Sequence, residues 1–251
     1  MSAYRDALGW LLTDALETLS PLRLALPDDA GGCRELVVER EQQTSRLFGL
    51  AYTDPGHNLS VRYCRSQSRK FDVAMLMIFP TAAPHRLPVV GAEWVVVGDR
   101  CHMAGFDVHP AGPQPELDAE LDAVYSPLGT GWRSALPPNH RLPPWASELG
   151  RPWGVFTTGP LSILGPTRSA FQAYLEIAVE QFYRPRAATH RGGDAPAVAA
   201  YKAHHCRHSP GRPLLARTFG PEQADEFIEW HFGPAPMAAP PPRDSAGCPP
   251  S

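Results

Sequence analysis

The hydrophobic pattern along the chain predicts a three-layer α/β/α sandwich with a central antiparallel sheet. Between residues 34 and 110 the sequence is a succession of short apolar runs joined by short loops, which favours antiparallel meander pairing over parallel crossovers. Before and after that block the apolar residues recur at three and four positions instead, as along one face of a helix. A sheet with helices on both sides in sequence gives layered packing.

The elements follow in order. Ala7, Leu8, Leu11, Leu12, Ala15 and Leu19 predict a packed helix over residues 4 to 19, and Pro21 and Pro27 bound what comes next. Strands are expected near Leu36, at 46 to 53 (RLFGLAYT), at 59 to 64 (LSVRYC), from Phe71 to Pro80, and on both sides of Gly98 up to Pro110. The stretch 111 to 152 is rich in proline, and one short helix around Glu116 to Tyr125 is expected there before an irregular connection. WGVFTT, 153 to 158, reads as the last strand. Phe171, Tyr174, Leu175, Ala178, Val179 and Phe182 predict a strongly amphipathic helix, and another spans roughly 195 to 207. Pro221 after Gly220, with acidic residues in the following turn, opens a closing helix over 221 to 232. The chain is thus read as a single domain over 1 to 232. Residues 233 to 251 (GPAPMAAPPPRDSAGCPPS) have too many prolines and too little apolar surface to pack, and read as a disordered tail.

Composition narrows the function classes. The chain has 251 residues, 43% of them hydrophobic and 20% charged, which is ordinary for a globular protein. A formal charge of -3 gives no global reason to expect nucleic acid. No apolar run approaches the ~18 residues that cross a bilayer, and Asp6 and Asp14 stand where a signal peptide lacks acids, so no membrane partner and a cytoplasmic location are expected. Five cysteines without a Cys-x-x-Cys spacing are read as reduced thiols. The glycine signatures of dinucleotide folds and P-loops are absent, as is the Gly-x-Ser-x-Gly elbow. His204 and His208, four apart on an expected helix, could geometrically pair on a metal, but no third ligand is signalled nearby and no metal is expected.

The most informative segment is Phe71 to Pro110. Two apolar strands flank the turn Leu87-Pro88-x-x-Gly91, and Glu93 follows inside a run otherwise made of Val, Ala and Trp. An ionised carboxylate buried without partners is strongly unfavourable, so Glu93 is either paired or holds a proton near neutrality. The second possibility makes it a candidate proton donor; the first makes it a structural ion pair. Asp107 points away from Phe106 and Val108, toward a pocket or into a structural hydrogen bond.

The order of these segments is also recognisable. A strand ending Phe79-Pro80, the turn Leu87-Pro88-x-x-Gly91-Ala92-Glu93, a strand closing on Phe106-Asp107-Val108-His109-Pro110, the run Leu142 to Phe156, and Arg212, Leu215, Phe219 and Gly220 within Tyr201 to Ile228 occur in sequence. Over roughly residues 35 to 232 the chain resembles the ferredoxin-dependent bilin reductases, the family of phycocyanobilin:ferredoxin oxidoreductase. The resemblance implies a six- or seven-stranded antiparallel sheet with a linear tetrapyrrole, biliverdin or a similar bilin, held between it and the carboxy-terminal helices. It further implies electrons delivered singly by ferredoxin, no bound cofactor, and protonation of a bilin radical by side-chain acids. Residue by residue, the family's acid after the turn is present as Glu93. A family His aligns with Met75, a Glu one strand earlier aligns near Tyr63, and an Asp before the carboxy-terminal Arg falls near Ser209, with His208 beside it.

Methionine donates no proton, so a bilin reduction here is expected to rely on Glu93 with Tyr63 or His208 and to transfer two electrons rather than four. Met75, Asp107, Ser209 and Arg212 are the expected substrate contacts, Arg212 for a propionate. Arg184, Arg186, Arg191, Lys202, Arg207, Arg212 and Arg217 make the region before the last helix locally basic, suited to an acidic ferredoxin. The protein is read as a monomer. An oxidoreductase of another conjugated substrate, and a bilin carrier without turnover, remain the alternatives.

Overall fold

The computed structural model describes residues 6–26, 32–40, 43–81, 87–110, 114–139, 150–183, 196–209 and 211–233. The proposed tail, apart from Gly233, lies outside the described residues. The sheet is a seven-stranded meander in sequence order: β1 (Cys33–Arg40), β2 (Gln43–Asp54), β3 (Leu59–Gln67), β4 (Phe71–Pro80), β5 (Val89–Val97), β6 (Arg100–His109) and β7 (Val155–Pro160). Every neighbouring pair is antiparallel. Six α-helices are described: α1 (Trp10–Thr18), α2 (Pro115–Ala135), α3 (Leu164–Tyr183), α4 (Pro196–His208), α5 (Arg212–Phe219) and α6 (Pro221–Phe232).

Period-2 alternation sorts the strand residues into two cores. Tyr63, Leu76, Ala92, Trp94 and Phe106 face α1, α2 and α3, where Trp94 meets Trp10 and Phe171 edge-on, both at 5.3 Å between ring centroids. Its indole N–H donates to Thr167 Oγ1 at 3.2 Å, so this fully buried ring keeps its polar edge satisfied. Leu47, Met77, Phe79 and Val89 point the other way and pack under α4, α5 and α6 through Tyr201, Leu215, Phe219, Phe227 and Phe232. The two layers of helices are thus specified by alternate residues of the same strands.

Three element boundaries differ from the sequence reading. The first helix begins at Trp10; ahead of it the backbone N–H groups of Ala7 (2.8 Å) and Leu8 (2.9 Å) bond the Asp72 carboxylate, which ties the approach to the helix down to β4. The helix expected around Glu116 to Tyr125 runs ten residues further, through Pro127. A proline inside a helix removes one backbone bond, but burial of Leu117, Leu121 and Tyr125 on one face outweighs that loss. α5, which periodicity alone left unassigned, is a separate short helix, and Gly220 (φ 105°) makes the turn into α6 in a region of backbone space that favours glycine.

Gly129 lets α2 approach β7. A Cβ there would lie 2.3 Å from the carbonyl oxygen of Trp153 and 2.7 Å from the hydroxyl of Tyr174. Gly129→Ala is therefore expected to destabilise the protein by about 1–3 kcal/mol through overpacking against backbone that cannot yield. A denaturant midpoint equal to that of the wild type would show that α2 shifts freely.

Candidate functional site

The antiparallel register lines up one row of residues across the middle of the sheet: Cys64 opposite Met75, Met75 opposite Glu93, and Glu93 opposite Gly105. Ala92 and Trp94 are committed to the α1–α3 core, so Glu93 between them points toward α4–α6. There it meets a cleft of about 490 Å³, counted out to its open mouth. Cys64, Ser66, Met75 and Glu93 are on its floor. The α4–α5 junction (Ser209, Gly211, Leu214) and α6 (Phe227, Ile228, His231) form its roof.

The walls are mainly apolar, and this sets the chemistry. Glu93 is half-buried, and no described residue gives it a hydrogen bond or ion pair. Burial raises its carboxyl from 4.5 to about 7, so it keeps a proton up to near neutrality. The neighbouring Cys64 thiol is pushed well up by burial and then by the negative charge of Glu93, so it stays a neutral thiol rather than a nucleophile.

The family profile described as ferredoxin-dependent bilin reductase matches residues 57–231, well over half of the chain. The chain belongs to the ferredoxin-dependent bilin reductase family. A curated relative, phycoerythrobilin:ferredoxin oxidoreductase of Prochlorococcus marinus (strain MIT 9211), is 25% identical over 155 residues, 57% of this chain. The match spans 58% of that relative's length. The fold is that of the crystal structure of selenomethionine phytochromobilin synthase from tomato in complex with biliverdin, with a TM-score of 0.74, 17% identity, and coverage of 93% of this chain and 85% of that one.

Within this bilin reductase fold, the structure brings together three of the residues selected from the sequence: Glu93, Met75 and Ser209 all line the cleft. Tyr63 is not among them. It is fully buried in the opposite core, edge-on to Phe48 at 6.3 Å between ring centroids, and its hydroxyl is held far above neutrality by burial. The position across from Met75 on the cleft face is Cys64, one residue further on. A slip of one residue along a strand exchanges the two faces, so the cleft-facing residue of this pair is Cys64 and not Tyr63. His208 is exposed at the end of α4, in ring contact with His204 at 4.6 Å, and does not line the cleft.

The remaining candidates have structural partners. Asp107 accepts backbone N–H groups from Val108 (2.8 Å) and Arg151 (2.9 Å), tying β6 to the segment before β7. Burial lifts its carboxyl to about 7 against the lowering effect of those two bonds. Arg212 is exposed and bonded to Asp225 on α6, its Nε 2.7 Å from the carboxylate, which joins α5 to α6 outside the cleft lining. Lys202, grouped with the basic surface by its sequence position, is buried, 4.7 Å from the centroid of Phe79. Arg207 and Arg217 are exposed; Arg184, Arg186 and Arg191 lie outside the described residues. No group of three or more His, Cys, Asp or Glu among the described residues is placed to hold a metal ion. No described helix is long and apolar enough to cross a membrane.

Sequence reading missed two polar residues of the cleft, Ser66 and His231. His231 repeats the helical spacing of Ala224, Phe227 and Ile228, so an imidazole on an otherwise apolar face was visible in principle. Ser66 sits two residues beyond Cys64 on β3, and nothing marks it until the register is known.

Proposed function

We propose that this protein reduces a linear tetrapyrrole of the biliverdin type in the cleft between the sheet and α4–α6, taking electrons one at a time from a reduced ferredoxin. Two electrons and two protons add across one double bond of the bilin, and two ferredoxins are oxidised. Electrons pass directly to the bilin, with no bound cofactor in the protein. The carrying observation is Glu93: a carboxyl with no ion partner, lifted to about 7, on the floor of an apolar cleft in a chain of this family.

Each role follows from a position. Glu93 protonates the bilin radical formed by the first electron and is recharged from solvent through the open mouth. Met75 beside it and Cys64 beyond Met75 continue the row as packing surface against the pigment. One acid in the central row supports one reduced double bond, and hence two electrons rather than four. Exposed Arg207 and Arg217 on the roof layer suit an acidic ferredoxin.

The direct test is an absorbance titration with biliverdin IXα, followed by anaerobic addition of ferredoxin with its reducing system. A saturable shift followed by a blue-shifted product is expected. Binding without conversion would instead establish a carrier, and no shift would remove bilins as the substrate class. In the same assay, Tyr63→Phe and His208→Ala are expected to turn over like the wild type, because one hydroxyl is in the opposite core and the other ring is in solvent. A large loss in either would restore that residue as a proton donor.

A further inference from the structure

Besides Glu93, two buried polar side chains of the cleft are without hydrogen-bond partners among the described residues, one on each side. Ser66 on the floor is 5% exposed and His231 on the roof 2% exposed. Neither the Ser66 hydroxyl nor either ring nitrogen of His231 has a hydrogen-bond partner among the described residues. Buried polar groups are nearly always bonded, so two unsatisfied ones lining the same cavity call for an explanation. Nearby groups that could have served are engaged elsewhere. Arg62, on the same face of β3, gives its Nε to Ser60 Oγ (3.1 Å) and an Nη to the carbonyl of Trp230 (3.1 Å).

We propose that Ser66 and His231 are specificity-determining residues that hydrogen-bond a neutral cyclic-amide (lactam) end of the bilin while Glu93 addresses its interior. This rests on the bilin reading above. A hydroxyl and a neutral imidazole each offer both a donor and an acceptor, which is what an adjacent ring N–H and C=O require. The imidazole is neutral, since burial and then the charges of Arg62, His205 and Lys202 push it down to about 3. A neutral ring forms no ion pair, so the group recognised is amide-like rather than a propionate.

The spacing fits an extended ligand. Ser66 is two residues along the strand and two strands across from Glu93, a separation of about 12 Å at the backbone. A molecule bonded at one and protonated at the other must span more than one ring.

The test compares biliverdin titrations of the wild type, Ser66→Ala, His231→Phe and His231→Gln with the thermal midpoints of the same proteins free of pigment. Losing each bond should raise Kd about 10-fold or more, with His231→Gln keeping most of the affinity because an amide again offers donor and acceptor. In the free protein, replacing an unsatisfied buried polar group with an apolar one should leave the midpoint unchanged or raise it. A structural role would lower it. Unchanged affinity in Ser66→Ala and His231→Phe, or affinity lost together with stability, overturns the assignment while the bilin reading stands. A wild type that does not bind biliverdin overturns both.

Discussion

Glu93→Gln is expected to bind biliverdin as the wild type does and to lose turnover by about 100-fold or more. The amide has the shape of the protonated acid and fits the same half-buried site, so the pigment meets no new obstacle, yet it supplies no proton at any pH. Wild-type activity should itself fall as pH rises through about 7, where the raised carboxyl of Glu93 loses its proton. The same shift gives a stability signature of definite sign. Below the ordinary value of 4.5 the carboxyl is protonated in both the folded and unfolded states and carries no penalty. Between 4.5 and about 7 the unfolded chain releases the proton first, so the wild type becomes progressively less stable relative to Glu93→Gln. The difference is complete above about 7. Pigment turnover in Glu93→Gln equal to the wild type across this range would remove Glu93 as the donor.

Much of the scaffold was legible because its signals are local. β4, β5 and β6 are apolar runs of strand length set off by short loops, and α6 occupies the span that Gly220, Pro221 and the apolar spacing indicate. What was not legible depends on partners distant in sequence. Pro127 reads as a helix stop, and only the packing of α2 carries the helix past it. The approach to α1 is tied down by Asp72, more than sixty residues away. In the site, Glu93 could be selected because a carboxylate stands out in an apolar run. Cys64 and Ser66 could not, because which face a residue takes depends on the register of β3 against β4, and one residue of slip moves the choice from Cys64 to Tyr63.

The largest stability effect is expected from a carboxylate on the other side of the sheet. Asp72 is fully buried and accepts four hydrogen bonds: two from Arg65, at 2.8 and 2.7 Å, and the two backbone N–H groups of Ala7 and Leu8. Arg65, 13% exposed, also reaches Asp6, so this one carboxylate joins β3, β4 and the segment that leads into α1. Asp72→Asn keeps the size but halves the acceptors, turns an N–H toward groups that themselves donate, and leaves a guanidinium with little solvent short of its counter-charge. Breaking a buried pair in this way costs about 3–5 kcal/mol. The denaturant midpoint should fall by the corresponding amount at unchanged slope, since the surface exposed on unfolding is the same. Turnover per folded molecule should persist, because Asp72 and the cleft are on opposite faces of the sheet. Glu93→Gln is expected to give the reverse result, with chemistry lost and stability kept or gained above neutral pH. The contrast follows from how completely each carboxylate is hydrogen-bonded. Asp72 is bonded at both oxygens, by Arg65 and by the backbone of Ala7 and Leu8. Glu93 has no protein partner and is thereby free to give its proton away. A loss of stability in Glu93→Gln as large as that in Asp72→Asn would contradict this division.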